Sequence, residues 1–284
     1  MSGPRVRGLV CDLDGVVYRG EHACDGAVEG LTSAREAGVR LLFMTNNASR
    51  TPEDVAAHIS SLGFPTRPSE VLTASQVGAR TVAERRERGQ LRLDDGGVVL
   101  AVGGEGVGVA LTDEGLPWVS APQARDAAGT EAPLRVAAVL QGYGASVAVS
   151  DLTEAVYAVR AGAVWVATND DATLPTARGL AVGNGSLVAA VANATGSRPE
   201  VVGKPHAPAY RMALSRIGVP LEECLMLGDR LGTDIAGAVA VGMRSALVLT
   251  GVSTAEEAAA ADTHERPDHV AARIPDLAHL WSTP

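Results

Sequence analysis

Aromatic residues are scarce, 3% of 284 positions, although hydrophobic residues make up 46%. The expected core is therefore aliphatic, built mainly from Ala, Val and Leu. Cysteine is scarce too. Cys11, Cys24 and Cys224 form no CxxC pair, and an odd number does not suit a disulfide framework. Cys11 and Cys224 lie in apolar runs and read as small core residues. No run reaches the roughly 18 apolar residues that a membrane span requires. Asp12 is met before any long apolar segment develops, so neither a signal peptide nor membrane association is expected, and a cytoplasmic location is the default. No basic stripe with interleaved aromatics is present. With a net charge of −9, the chain repels a polyanion overall, which argues against nucleic acid as a partner. A small anion is not excluded, because a few local cations outweigh a diffuse field. Low-complexity tracts and internal repeats are missing, and 20% charged residues is no composition for a disordered chain.

What is there alternates. "VRGLVCDL" is a β-rich apolar run, "GAVEGLTSAREAG" has helical spacing and ends in Gly, and "VRLLFMTNN" is apolar again. "TPEDVAAHISSLGF" opens with Thr51 as N-cap, Pro52 at the first helical position and Asp54 completing a capping box, and Gly63 stops the helix. The alternation resumes after "VVGKP". Helices are expected in "AYRMALSRIG", "TDIAGAVAVG" and "TAEEAAAA", strands in "CLMLGD" and "RSALVLTG", and a docked tail in "IPDLAHLW" with Trp281 as its anchor. Strand–helix alternation predicts an α/β fold with a parallel sheet. The middle differs in texture. The charged stretch 84–97 reads as a linker or exposed helix end, and the apolar runs beyond it suffice for a second, smaller α/β unit. That unit is placed at 80–198, inserted into a first domain made of 1–79 and 199–284.

Four polar clusters fall at the ends of expected strands: Asp12 with Asp14, then Thr45, Asn46 and Asn47, then Lys204 with Pro205, then Asp229 with Asp234 in "GDRLGTD". Ligands of open parallel sheets bind beyond the carboxyl ends of the strands, so parallel strands would bring these clusters together. Each alone has a bland explanation as a turn, a capped loop or a solvated lysine. Their common placement does not. Two carboxylates about 4 Å apart repel by roughly 4 kcal/mol at an effective dielectric of 20. Gathered acids therefore need cations, and Mg²⁺ and Lys204 would supply them. The constellation reads as a cage for Mg²⁺ and a phosphoryl group. Asp12 is then nucleophile and metal ligand, forming an aspartyl-phosphate. Asp14 is the general acid–base, with a pKa raised by its crowded setting, and Gly15 allows the sharp turn after it. Asp229 ligates the metal. Asp234, counted with the metal set, holds metal-bound water or Lys204. Thr45 and the Asn46 amide grip phosphate oxygens, with Asn47 counted beside them. Lys204 neutralises charge on the transferring group, and Pro205 starts a helix whose N-terminus favours anions.

"DLDGVVY", "TNNASRT", "VVGKP" and "GDRLGTDI" resemble, in this order, the four motifs of the haloacid dehalogenase superfamily. The branch resembled is subfamily IIA, that of NagD-type, 4-nitrophenyl-phosphate and phosphoglycolate phosphatases, and within it the actinobacterial glycerol 3-phosphate phosphatases. The resemblance covers nearly the whole chain. It implies a Rossmann-like core, a C2-type α/β cap, Mg²⁺ dependence and the residue roles above, with Asp14 offering its backbone carbonyl to the metal. Three positions depart from the pattern: Gly144 stands where many relatives carry an acid, Leu174 where pyridoxal-phosphate phosphatases carry His, and Gly232 where Asp is frequent.

The cap must select the ester. Its candidate loop is "TNDDATLP", residues 168–175, in which Asn169 and Asp171 order the loop and count as substrate-binding, and Thr173 and Leu174 face the leaving group; the alternative is that these residues only shape a turn. "AVGGEGVGVAL" looks like a dinucleotide loop but matches G-x-G-x-x-G at no register, and a tight turn is expected instead. Arg50 and Arg230 lie near motif ends, but neither position is singled out as a substrate contact. The expected function is Mg²⁺-dependent hydrolysis of a small phosphorylated metabolite, glycerol 3-phosphate or 2-phosphoglycolate first. The rivals are a phosphomutase and a phospho-accepting signalling domain. A homodimer is compatible with the sequence.

Overall fold

The structure is a computed structural model and describes residues 4–128, 134–176 and 178–282. Ala177 and residues 129–133, within the inserted unit expected at 80–198, lie outside the described residues. The chain divides into two compact units. One takes in the chain up to Thr45, Pro52–Leu72 and the chain from Lys204 onward; the other is Asn46–Thr51 with Thr73–Gly203. The second unit thus begins before the expected residue 80, because one helix, Ala74–Glu87, runs through that position from a capping box of Thr73 and Gln76. It also runs past residue 198, because Glu200–Val201 pairs in parallel with Val164–Ala167.

The first unit is built on a six-stranded sheet in the order His269–Ala271, Arg244–Val248, Cys224–Gly228, Gly8–Cys11, Arg40–Thr45, Val71–Thr73. The pairings from His269–Ala271 to Arg40–Thr45 are all parallel. Numbered along this unit, the order is 6-5-4-1-2-3, the Rossmann order, whose direction reverses between the first strand and the fourth. The inner strands Gly8–Cys11 and Cys224–Gly228 are buried apolar runs, as a sheet covered on both faces demands, while Val270 on the edge strand is exposed. The core is aliphatic, and Phe43, Phe64 and Trp281 are among its few aromatics. Trp281 is fully buried beyond the 3₁₀ helix Ile274–Leu280, with Ile274 and Leu277 in the same cluster.

The second unit carries its own five-stranded parallel sheet, in the order Glu200–Val201, Val164–Ala167, Arg135–Gln141, Gly97–Val102, Trp118–Ser120. Numbered within this sheet the order is 5-4-3-1-2, the flavodoxin order. The glycine-rich turn after Gly97–Val102 serves packing within this unit. A Cβ on Gly106 would lie 2.5 Å from the Arg50 carbonyl oxygen, and the Gly106 N–H donates to the Ser49 carbonyl at 3.3 Å. The crevice where such a sheet would take a ligand holds the chain's own segment Asn46–Thr51.

Two expected elements differ in detail. Residues 168–175 are not all loop: Thr173–Thr176 forms an antiparallel hairpin with Gly179–Val182, with Pro175 opposite Leu180. A strand of a two-stranded ribbon has a free edge, where the missing proline N–H costs nothing. The helix expected from "TDIAGAVAVG" starts as a π turn, Leu231–Ile235, before Ala236–Ala240. No helix among the described residues is long and apolar enough to cross a membrane, and the three cysteines are free and buried.

Candidate active site

The reversal of strand order places the site. The Asp12 N–H donates to the Leu227 carbonyl at 2.8 Å, so Asp12 and Asp229 leave adjacent parallel strands at nearly the same level. Thr45 ends the strand on the other side of Gly8–Cys11 and is buried. Lys204 is the first residue of the last segment of the first unit. Its ammonium pairs with the Asp12 carboxylate and with Asp234 Oδ1 at 2.8 Å. Asp12, Asp229 and Asp234 are all buried, and one carboxylate oxygen of each lies within 4.8 Å of the others.

The carboxylates are not equivalent. Asp234 Oδ2 accepts the backbone N–H groups of Asp229 at 3.3 Å and Arg230 at 3.2 Å. With Lys204 on its other oxygen, Asp234 is already engaged on both. The π turn that carries it is held by the Tyr210 hydroxyl, 2.9 Å from the carbonyl oxygens of Thr233 and Asp234. Asp229 differs: Oδ2 accepts the Val252 N–H at 2.8 Å, while Oδ1 is buried with no partner. An orphaned buried carboxylate oxygen is costly. Three carboxylates beside one ammonium also leave two negative charges. A hard divalent cation answers both, so the residues fit Mg²⁺.

Burial pushes the Asp12 carboxyl well above the usual carboxylate range; Asp234 and Asp229 push the same way, and Lys204 pulls it down. Asp229 is pushed up to about 6, by burial first and then by Asp234, against the Val252 N–H. Burial opposes charge on Lys204, but Asp12 and Asp234 outweigh it and hold the ammonium protonated. The sign of the linkage follows. An acid whose folded pKa is raised binds its proton more tightly when folded, so Asp229 stabilises the metal-free fold below its unfolded value of 3.8 and loses this contribution as pH rises through about 6. A divalent cation must displace that proton. We expect the rise in Tm on adding Mg²⁺ to be larger at about pH 7.5 than at about pH 5. Equal shifts by differential scanning fluorimetry at both pH values would contradict the assignment.

Asp14 does not share this crowding. It is exposed, bridged to Tyr18 through the backbone, and its side chain is not among the converging carboxylates. The strand ends at Cys11, and Asp14 lies beyond it in a turn bridged to Tyr18, so it does not follow the strand as Asp12 does. Pro205 does not start a helix either. The helix is Ala207–Ile217, with His206 at its N-cap.

Asn46, Asn47, Asn169, Asp171, Thr173 and Leu174 belong to the second unit. The Asn46 side-chain amide donates to Asp171 Oδ2 at 3.1 Å. The Asn169 amide donates to the Asn46 carbonyl at 2.8 Å, and the Asp171 N–H to Asn169 Oδ1 at 3.2 Å. Asn184 closes the set by donating to the Asn169 carbonyl at 2.8 Å. Asn47 Oδ1 accepts the Ser49 N–H at 2.8 Å and its hydroxyl at 2.7 Å, an Asx turn. Thr173 is exposed and Leu174 half-buried in the hairpin. Sequence reasoning missed Tyr210 and loop 250–253. The loop could have been found, since it follows the strand Arg244–Val248 at the same sheet edge as the other clusters. Nothing in the sequence marks the Tyr210 hydroxyl.

A family model for haloacid dehalogenase-like hydrolases matches residues 9–117, and a second, HAD-hydrolase-like, matches 201–277. The chain is 45% identical over 262 residues to D-glycerol 3-phosphate phosphatase of Mycobacterium tuberculosis, covering 92% of this chain and 68% of that protein. It is 33% identical to 5'-nucleotidase YutF of Bacillus subtilis, covering 93% and 94%. The crystal structure of the glycerol phosphate phosphatase from M. tuberculosis in complex with magnesium superposes with a TM-score of 0.84 at 41% identity, covering 96% of this chain and 76% of that one. With Asp12, Lys204 and Asp229 gathered at the reversal of a Rossmann-ordered sheet, the chain belongs to the haloacid dehalogenase-like hydrolase family.

Proposed function

We propose that the chain is a Mg²⁺-dependent phosphatase of small phosphomonoesters that works through an aspartyl-phosphate, with glycerol 3-phosphate as its leading substrate and 2-phosphoglycolate next. The observation that carries this reading is the pairing of buried Asp12 with Lys204 beside the unpartnered oxygen of Asp229. The 45% identity to a glycerol 3-phosphate phosphatase supports the choice of ester. Asp12 attacks phosphorus; the Asp12–phosphorus bond forms as the ester P–O bond breaks. Asp14, exposed and two residues away, gives its proton to the leaving alkoxide oxygen. It then takes a proton from the water that attacks the aspartyl-phosphate, releasing inorganic phosphate and restoring Asp12. Lys204 offsets charge on the transferring group, and the Thr45 hydroxyl holds one of its oxygens. Asp234 keeps Lys204 in place. Mg²⁺, held by Asp12, Asp229 and the Asp14 backbone carbonyl, would supply charge neutralisation at the phosphoryl oxygens. In the second unit, the Asn46–Asn169–Asp171 network shapes the loop proposed to select the ester.

The test is phosphate release from glycerol 3-phosphate, 2-phosphoglycolate, sugar phosphates, nucleoside monophosphates and 4-nitrophenyl phosphate, with Mg²⁺ and with EDTA. We expect the highest kcat/KM on glycerol 3-phosphate and no release in EDTA. A preference for nucleoside monophosphates would overturn the substrate assignment. A persistent acyl phosphate without turnover would favour a signalling role, and transfer to a second sugar hydroxyl a mutase.

A further inference from the structure

A buried carboxylate offers a cation one oxygen or two, depending on which donors already hold it. Asp229 is held from one side by loop 250–253. The Val252 N–H takes Oδ2 at 2.8 Å, and the Ser253 N–H donates to the Asp229 carbonyl at 3.0 Å. The fit is close enough to exclude a side chain at two places. A Cβ on Gly251 would overlap the Asp229 side chain, and one on Gly15, where φ is +90°, would overlap its carboxylate.

The loop is itself tied down. Ser253 Oγ accepts the Leu231 N–H at 3.2 Å. The Thr250 hydroxyl donates to the Gly15 carbonyl at 2.7 Å. The guanidinium of Arg19 donates to the Gly251 carbonyl at 2.7 Å. The turn after Asp14 and the residue that follows Asp229's strand are thus fastened to one loop, and Asp229 Oδ1 is left unpartnered.

We propose that loop 250–253 positions Asp229 for a divalent cation by engaging one of its oxygens, and that Thr250 and Arg19 are positioning residues that anchor this loop to the turn carrying Asp14. The inference rests on Asp229 as a metal ligand of the proposed phosphatase. Neither side chain supplies a ligand. Loss of the Thr250 hydrogen bond releases the loop, the Val252 N–H drifts from Oδ2, and the carboxylate is no longer held for binding. Groups that orient a metal ligand without touching the metal are typically worth about 10- to 100-fold in metal affinity.

The experiment is Mg²⁺ titration of the full chain by calorimetry and by thermal shift. Thr250→Val keeps the shape and removes the donor, Thr250→Ser keeps the donor, and Arg19→Met removes the donor from an exposed side chain. We expect the Mg²⁺ Kd to rise about tenfold in Thr250→Val and about threefold in Arg19→Met, and to return to within about twofold of the parent in Thr250→Ser. The Mg²⁺ concentration for half-maximal phosphate release should rise by the same factors, with KM for the ester unchanged at saturating Mg²⁺. A folded Thr250→Val with the parent Kd overturns the proposal. If Thr250→Val fails to fold, Arg19→Met decides, and the parent Kd in that variant overturns it equally. A parent protein that binds no Mg²⁺ would instead refute the metal site itself.

Discussion

Asp12→Asn is expected to lower kcat for phosphate release by at least about a thousandfold, at any Mg²⁺ concentration. The amide has nearly the same shape as the carboxylate but cannot form the aspartyl-phosphate, so binding of the ester should survive while turnover does not. The same substitution removes one of three buried acids that crowd one another. The metal-free variant should therefore unfold at the parent temperature or above it. Loss of activity with retained stability separates a chemical role from a structural one. Steady-state release measured beside thermal unfolding gives both numbers, and activity within about tenfold of the parent would move the nucleophile elsewhere.

Lys204→Ala carries the second large effect, and its signature is stability. The ammonium lies buried between Asp12 and Asp234. Taking it away leaves buried carboxylates without the cation that touches them, and breaking a buried pair from one side costs about 3–5 kcal/mol. That penalty depends on pH with a defined sign. Asp12, whose carboxyl is already pushed above the usual range by burial, can escape part of it by taking up a proton, so the loss should be largest at about pH 7.5 and shrink towards about pH 5. Urea unfolding of the metal-free protein at both pH values measures it. Lys204→Met combined with Asp234→Asn removes a charge of each sign and should recover part of the stability without recovering turnover. A loss below about 1 kcal/mol at both pH values would mean that the pair does not hold the site together.

Much of this site was visible in the sequence because strand ends are visible there. An apolar run that stops at a polar residue marks the carboxyl end of a strand, and Asp12, Thr45 and Asp229 all stand at such stops. Lys204 is expected at a strand end too, but the strand before it, Glu200–Val201, belongs to the second unit's sheet. The anchoring of the tail by Trp281 was visible as well, since it closes the apolar stretch "IPDLAHLW", whose Ile274 and Leu277 are buried with it. The second unit's limits were less legible. Charge along 84–97 suggested a break, but the helix Ala74–Glu87 keeps its backbone hydrogen bonds whatever its surface carries.

What the sequence by itself determined is the alternation of strands and helices, the inserted second unit and the identity of the acids and the lysine, because these follow from periodicity and from residue chemistry at each position. What only the tertiary structure decided is which oxygens are already spoken for. Asp234 is engaged on both sides and Asp229 on one, Asp14 is exposed, and the Asn46 amide is given to Asp171. The reason is physical. A side chain's type sets what it can donate or accept, but its partners come from segments as far apart as Gly15 and Thr250, and only the order of strands in the sheet brings those segments within hydrogen-bond distance.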